Sequence, residues 1–468
     1  MNRVKTARQV GGRAIVIGAS MAGLCAARVL SDRFSEVVVL DRDALPDLAE
    51  PRARVPQGRH PHLLLNAGTR ILTEWFAGIV TELEAAGAVD IDLCGDFLWH
   101  QSGGNQRRPS TSLRGPSMSR PLLEHTVRQR VTQISNVTVR PETTVSGVLE
   151  DPQRSRLTGV TLEDGADLAG DLIVDATGRQ ARSLKWLANL GFEPPTTAVV
   201  EINTTYVSRR LRRRPDPARD WQAAAIIGDP ESRRLCMALP IEDDQWIVMI
   251  GGVNGEVAPA DEVGMLAYAR TFDLPAIANL LQECEPTGPI ETHRFPNNQR
   301  RRLDHMRRFP LGWLLLGDAV CSFDPIYGQG MTSAALQADA LAACLDRATS
   351  LNRRFTRAYF KATSRAVAAP WSIAVGGDFA YPGTTGTKPL GTDLLNRYID
   401  NVVLAGQRDE AVVIRFNEVI SLVRRSETLL APSFVIRVLR TARRVRRDHV
   451  QLQTGRQHTA GDRAVRAG

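Results

Sequence analysis

The sequence predicts an α/β fold in which a Rossmann-like nucleotide-binding domain is interrupted by an antiparallel sheet and followed by a helical C-terminal region. Residues 14–42 show the pattern of strand, glycine turn, helix and strand. Residues 197–295 contain apolar runs separated by polar turns, and residues 310–347 return to the strand, turn and helix pattern. Because the first and third segments are alike, we predict that the middle one is an insertion.

The first segment has the spacing of a dinucleotide site. Ala14–Ile17 is an apolar run typical of a buried parallel strand, and it leads into the stretch GASMAG. Gly18 allows a tight turn, Gly23 lets the next helix lie close to the strand, and the helix N-terminus offers N–H groups to a pyrophosphate. Ser20 replaces the middle glycine, and Asp41 ends the second strand, where it can bind a ribose. The alternative is an ordinary βαβ unit.

Length and composition limit the class of protein. The chain has 468 residues, of which 43% are hydrophobic, enough for a large core. The sequence shows no apolar run long enough to span a membrane and no apolar targeting segment at the N-terminus. The six cysteines have no C-x-x-C spacing, which disfavours a zinc site and a disulfide scaffold and fits a reducing compartment. We therefore expect a cytoplasmic protein.

The net charge of +8 comes mainly from three arginine-rich stretches, at 209–214, 300–308 and 437–447. No interleaved aromatic motif accompanies them, so we expect no nucleic-acid partner. Phe434–Val450 combines an apolar helical face with flanking arginines. This helix either docks on the body of the protein or makes peripheral contact with a membrane.

The remaining segments suggest how the chain divides. A Pro/Arg loop contains His60 and His62, but two histidines without a third ligand do not predict a metal site. Ser119 followed by Pro121 marks a helix start. We predict a nucleotide-binding domain at 1–95, 119–196 and 296–350, substrate-domain segments at 96–118 and 197–295, and a C-terminal helical region at 351–468.

A second motif indicates which dinucleotide is bound. A strand ending in Gly317-Asp318 is followed by a glycine-rich loop and a helix, far along the chain from Gly18. A nicotinamide dehydrogenase does not need this motif, whereas a flavoprotein does, because the flavin ring of FAD lies far from its adenosine. Asp318 can bind a ribityl hydroxyl, and the helix beginning near Gly330 directs its positive N-terminus at the ring. We therefore predict FAD as a cofactor.

Several motifs together resemble the single-component FAD monooxygenases of the aromatic hydroxylase fold. Within that group, VPQGRHPH at 55–62 and FDPIYGQGM at 323–331 are most similar to flavin epoxidases of polyether biosynthesis and, more distantly, to squalene epoxidase. The resemblance covers roughly residues 13–390. The motifs that carry it are GASMAG with Asp41-Arg42, Ser119-Arg120-Pro121, DATG at 175–178 and GDAVCSFDPIYGQGM.

This resemblance implies a set of cofactor contacts and a loop against the flavin face, but no acid, base or metal ligand. The flavin-face loop contains Pro325 and Gly328, beside the oxygen-reactive carbon of the ring. The implied cofactor contacts are Gly18, Ser20 and Gly23 at the pyrophosphate, Asp41 at the ribose, Arg42 and Val145 at the adenine, Arg120 at the pyrophosphate or the ribityl chain, Asp318 along the ribityl chain, and Gly328, Gln329, Gly330 and Met331 around the pyrimidine ring.

The implied reaction inserts one oxygen atom from O₂ into a lipophilic alkene or aromatic substrate through a flavin C4a-hydroperoxide, as in secondary metabolism. NADPH or NADH is the expected electron donor. DATG at 175–178 replaces the Asp-Gly that aromatic hydroxylases use with NADPH, so a separate flavin reductase is an alternative. Alternative activities are reduction of isoprenoid double bonds and flavin-dependent halogenation, although the halogenase motif W-x-W-x-I-P is missing. We expect the substrate near Met237, Met249 and residues 379–381.

Overall fold

A computed structural model of the chain describes residues 8–153 and 155–466. Residues 1–7, where the sequence shows no apolar targeting segment, lie outside this part. Up to residue 196 the elements are β1 (Gly11–Ile17), α1 (Met21–Ser31), β2 (Phe34–Leu40), α2 (Asn66–Trp75), α3 (Ile79–Ala85), β3 (Val89–Asp92), β4 (Phe97–Gln101), β5 (Gly104–Asn105), β6 (Arg114–Ser117), α4 (Arg120–Thr132), β7 (Val137–Arg140), β8 (Val145–Asp151), β9 (Arg156–Leu162), β10 (Asp167–Ala169), β11 (Leu172–Asp175) and α5 (Ser183–Asn189).

The rest of the chain contains the longer antiparallel strands and then most of the helices. These elements are β12 (Thr197–Arg212), β13 (Ala223–Ile227), β14 (Arg234–Ile241), β15 (Gln245–Gly252), α6 (Glu262–Ala269), α7 (Ala276–Glu283), β16 (Glu291–Arg301), β17 (Trp313–Leu315), β18 (Cys321–Ser322), α8 (Gly330–Leu345), α9 (Arg353–Ala366), α10 (Ala368–Asp378), β19 (Thr385–Gly386), α11 (Thr392–Gly406), α12 (Glu410–Ile420) and α13 (Pro432–Arg466).

The predicted Rossmann-like half is a five-stranded parallel sheet with strand order β17-β11-β1-β2-β7. Ile15 and Val38 are fully buried, as expected for parallel strands covered on both faces. Helices α1 and α8 pack against each other beside this sheet. Strands β1, β11 and β17 all point the same way, so the turns after Ile17, Asp175 and Leu315 meet at one edge, where open α/β sheets bind ligands.

The predicted antiparallel sheet is larger than the sequence indicated. It contains the path β18-β16-β12-β15-β14-β13-β4-β5, with β19 added beside β12. All its pairs are antiparallel except β4 with β13. Ala223–Ile227 was not predicted as a strand, because its alanines have low β-propensity. Strand β16 runs on to Arg301, so the sheet extends beyond the 197–295 segment.

The C-terminal region packs as a group of helices. Phe434, Val438 and Ala442 of α13 are buried together with residues of α11 and α12. The apolar face of Phe434–Val450 therefore lies mainly against the protein, and the exposed apolar side chains on this helix include Ile436 and Leu439. Contact with a membrane through this helix stays a prediction. In the part of the chain that the structure describes, no helix has the length and apolarity needed to cross a membrane.

Candidate functional site

A cavity of about 740 Å³ lies where the parallel sheet meets the antiparallel one. Its wall is formed by the turns after β1, β2, β11 and β17, together with the start of α8. The predicted site residues that line it are Gly18, Ser20, Asp41, Arg42, Arg120, Val145, Asp318, Pro325, Gly328, Gln329, Gly330 and Met331. Gly23 is the exception, since it packs behind the wall.

The turn after β1 requires glycine at two positions. Gly18 has a φ of +104°, and a Cβ there would lie 2.6 Å from the carbonyl oxygen of Ala176. A Cβ on Gly23 would lie 1.8 Å from the carbonyl oxygen of Gly18. Helix α1 therefore starts directly against the turn. Its first backbone bond runs from the Leu24 N–H to Ser20, at 3.0 Å, so the N–H groups before it are available to an anion.

The side chain of Ser20 is held away from this helix end. Its hydroxyl donates to Glu124 Oε2 at 3.1 Å and accepts from Arg52 Nη1 at 3.2 Å. Arg52 is buried and pairs with three carboxylates, those of Asp41 at 2.8 Å, Asp43 at 3.1 Å and Glu124 at 2.9 Å. This network explains how the turn accommodates a serine where the dinucleotide pattern has glycine.

Sequence reasoning missed Arg52, Asp43 and Glu124. Arg52 and Glu124 are 72 positions apart, so no short motif joins them. Burial alone would lower the pKa of Arg52, but Asp41 and Glu124 raise it above its ordinary value, so the guanidinium stays charged. Asp41 also accepts hydrogen bonds from the N–H groups of Ala19 at 2.6 Å and Asp43 at 2.9 Å. A carboxylate has about four lone-pair positions, so Asp41 is oriented and can still accept from a ribose hydroxyl.

The opposite end of the cavity, at Gln329, and the wall between the two ends, at Arg120, present polar atoms that lack partners within the described residues. The side-chain oxygen of Gln329 and the Nε of Arg120 are buried without a hydrogen bond. A buried polar atom left unpaired costs about 1–3 kcal/mol, so these atoms indicate a polar ligand. A Cβ added to Gly330 would meet no protein atom within 4 Å, which leaves room for a ligand against the start of α8.

These two ends fit the two halves of FAD. The turn at Gly18 and the carboxylate of Asp41 suit a pyrophosphate and a ribose. Gln329 and the start of α8 suit the polar edge of a flavin ring. Between them lies Asp318, whose pKa burial raises above its ordinary value, although Arg120 and Arg179 oppose this rise.

The residues expected at the substrate do not line this cavity. Met249 packs with Tyr206 and Leu235, and Met237 lies against the same group. Tyr381 packs in a separate cluster around Phe295. The sequence analysis expected the two methionines at the substrate, but in the structure they pack within the antiparallel sheet, against a cluster that also contacts Ile326 of the flavin-face loop.

Three histidines lie at the cavity or directly behind its wall. His62 and His293 line it, and His60 lies behind them with its ring 4.7 Å from Tyr206 and 5.6 Å from His293. His60 Nδ1 is 2.8 Å from Ser208 Oγ, and His62 Nδ1 is 2.9 Å from the His60 carbonyl. Burial lowers the pKa of His60 and His62 to about 3. Within the described residues, no group of three or more His, Cys, Asp or Glu side chains is arranged to hold a metal.

Acidification is expected to destabilise the protein through His60 and His62. Their pKa values are depressed in the folded chain, so below about pH 6.5 the unfolded chain binds more protons and stability falls, by up to about 1.4 kcal/mol per pH unit for each histidine. We expect the loss of Tm from pH 7.5 to pH 5 to be smaller in a His60→Asn/His62→Asn variant. The exposed His305→Asn is the control. An equal loss in all three proteins would contradict this.

Comparison with known proteins supports the interpretation of this cavity as an FAD site. The family model described as FAD binding domain matches residues 13–352. Protein Rv3254 of Mycobacterium tuberculosis is 35% identical over 396 residues, which cover 81% of this chain and 82% of that protein. The structure of the flavin-dependent brominase Bmp2 superposes with a TM-score of 0.61 at 13% identity, covering 87% of this chain and 92% of that one.

PqsL from Pseudomonas aeruginosa, described as a probable FAD-dependent monooxygenase, gives a TM-score of 0.57 at 18% identity, covering 79% of this chain and 98% of that one. Structural likeness at such low identity establishes the fold, which flavin-dependent monooxygenases and halogenases share. The family model spans most of the chain and includes both ends of the cavity. The protein belongs to the FAD binding domain family.

Proposed function

We propose that the protein is an FAD-dependent monooxygenase that inserts one oxygen atom from O₂ into a lipophilic alkene or aromatic substrate. The observation that carries this proposal is one cavity that joins the turn at Gly18 to the flavin-face loop and the start of α8. Bound FAD would supply the reduction of O₂ and the transfer of one oxygen atom. Epoxidation of the polyether type, a role in secondary metabolism and a cytoplasmic location belong to the same proposal.

The chain's own residues have limited tasks in this chemistry. The first-turn N–H groups of α8 stabilise negative charge at the adjoining end of the cavity. Phe295, Phe323 and Met331 give that end buried apolar walls, which keep water away. His62 and His293 remain neutral there, because burial lowers the pKa of each ring.

The lysines disfavour a halogenase, which requires a lysine in its substrate pocket. Lys185, Lys361 and Lys388 are the lysines in the described part of the chain, and none of them lines the cavity. Lys388 instead pairs with Asp393 at the protein surface. Reduction of isoprenoid double bonds remains the second candidate activity, since it would use the same cofactor arrangement.

Isotopically labelled O₂ separates these activities. The purified full chain with FAD and NADPH would be incubated with a panel of isoprenoid alkenes and phenols, with bromide present. One labelled oxygen atom per product molecule supports a monooxygenase. A saturated, unlabelled product would instead show a reductase, and a brominated product a halogenase, and either would overturn the proposal.

A cluster of arginines at the cavity wall favours NADPH as the electron donor. Arg42, Arg54 and Arg182 all line the cavity. Burial and the charges of Arg182 and Arg54 lower the pKa of Arg42. Asp43 partly balances Arg54, at 3.3 Å. The remaining positive charge suits the additional phosphate that distinguishes NADPH from NADH.

Arg182→Met is therefore expected to raise the KM for NADPH about tenfold, the effect of one charge-assisted hydrogen bond, while the KM for NADH, which lacks the additional phosphate, stays unchanged. The exposed Arg397→Met is the control. Steady-state kinetics with both nucleotides measure the effect. Equal KM values for NADPH in the wild type and Arg182→Met would contradict it. NADPH oxidation that starts only after a flavin reductase is added would identify a separate reductase as the donor.

A further inference from the structure

Two carboxyl groups without an assigned role lie behind the flavin-face loop. Asp324 precedes Pro325, Asp378 ends α10, and both are fully buried. Asn298 on β16 joins them: its Oδ1 accepts from the N–H of Asp324 at 2.6 Å, and its Nδ2 donates to Asp378. The hydroxyl of Tyr327 donates to Asp378 Oδ1 at 2.9 Å. Asp324, Asp378 and the loop therefore form one hydrogen-bonded unit, in which Asn298 contacts the backbone of Asp324 and the carboxyl group of Asp378.

The titratable side chains around this unit are tyrosines, which bring no positive charge to it. The titratable groups that face it are Tyr206 on β12, Tyr327 in the loop and Tyr381 after α10. Among the described residues, no arginine, lysine or histidine forms a salt bridge with Asp324 or Asp378. An unpaired buried charge is costly, and a charge on Asp324 disfavours a second one on Asp378. Both carboxyl groups therefore cannot be ionised together at neutral pH.

Both carboxyl groups accept hydrogen bonds that favour the ionised form, so burial and the repulsion between the two acids decide which of them holds the proton. Asp324 accepts from Thr204 Oγ1 at 2.6 Å and from the N–H of Ile326 at 3.2 Å, and both donors favour its ionised form. Burial raises the pKa of Asp324 to about 6 despite these donors. Burial and the neighbouring Asp324 raise the pKa of Asp378 well above its ordinary value. Asp324 thus ionises first, and Asp378 stays protonated.

We propose that Asp324 and Asp378 are positioning residues that act as one buried acid pair, which carries a single negative charge at neutral pH and thereby makes the cavity hold reduced FAD less tightly relative to oxidised FAD. Reduced flavin is the more negative form, so a fixed charge behind the loop opposes it. The effect on flavin rests on the proposed function. The single charge of the pair does not, because it follows from the burial and the surroundings of the two carboxyl groups in the protein alone.

Infrared spectroscopy of the full chain tests whether Asp378 is the protonated member of the acid pair. At pH 7.5 exposed carboxylates are ionised, so only buried carboxylic acids contribute a C=O band. Asp378→Asn is expected to remove one band, and the exposed Asp273→Asn is the control that keeps it. Tyr327→Phe removes a hydrogen bond to Asp378 and is expected to move the band to higher frequency, which decides the question if Asp378→Asn does not fold. An unchanged band in Tyr327→Phe, or in a folded Asp378→Asn, would overturn the acid pair.

Flavin titrations at pH 5 and pH 7.5 test the positioning role. The measured quantity is the Kd of reduced FAD divided by the Kd of oxidised FAD. From pH 5 to pH 7.5 we expect this ratio to rise about tenfold more in the wild type than in Asp324→Asn, equivalent to a coupling of about one pKa unit. The same change in both proteins would overturn the role. If the wild type binds no FAD in either state, the proposed function fails, while the infrared result still decides the acid pair.

Discussion

Replacement of Arg52 by methionine is expected to lower the free energy of unfolding by about 3–5 kcal/mol and to abolish FAD binding. Arg52 is the buried cation that pairs with Asp41, Asp43 and Glu124, and its loss would leave these carboxylates close together without compensation. Asp41 would also lose a contact that orients it toward the ribose position. Chemical denaturation measures the first effect, and flavin absorbance of the purified protein measures the second.

Arg54→Met provides a matched control for this change. Arg54 lies in the same loop and pairs with Asp43 at 3.3 Å, but its side chain is 55% exposed. Exposed ion pairs contribute between 0 and about 1 kcal/mol, so Arg54→Met should unfold near the wild-type midpoint. If both variants lost similar stability, the buried network would not have the role assigned to it.

Gly330→Leu is expected to weaken FAD binding roughly 100-fold without destabilising the protein. A Cβ at Gly330 meets no protein atom within 4 Å, and Gly330 lines the cavity at the start of α8. A larger side chain would therefore overlap the flavin ring rather than the protein, at a cost of about 1–3 kcal/mol in binding. The unliganded variant should keep or slightly raise its Tm, because leucine favours a helix more than glycine does.

Gly376→Leu is the control for this second variant. Gly376 also lies in a helix and has no protein atom near its Cβ position, but it does not line the cavity. We expect wild-type FAD affinity for Gly376→Leu in isothermal titration calorimetry. Equal affinities for Gly330→Leu and Gly376→Leu would show that the flavin ring does not lie against α8.

Local patterns in the sequence predicted much of the fold and of the cofactor end of the site. The glycine positions, Asp41 and the Gly317-Asp318 motif depend on the geometry of one turn or strand end, so short stretches reveal them. Ser119 was predicted to start a helix, and its hydroxyl indeed accepts from the N–H of Leu122 at 3.3 Å at the start of α4. The parallel strands were recognisable as continuous apolar runs.

What the sequence did not predict depends on contacts between distant segments. Strand β13 is held by β14 and β4, although its own residues do not favour a strand. Arg52 is part of the site only because Glu124 of α4 lies beside it. Asp324 and Asp378 are joined through Asn298 of a third segment. Single-sequence patterns carry no record of such pairings.

A titration of the flavin-free full chain with FAD tests the central claim most directly. Flavin fluorescence and absorbance would be followed until saturation, with Gly330→Leu measured in parallel. We expect the wild type to saturate at one FAD per chain and to gain thermal stability with FAD concentration, by about 2.7 kcal/mol at 100 times the Kd. A folded wild-type chain that shows neither saturation nor a rise in Tm would contradict the assignment of the cavity to FAD.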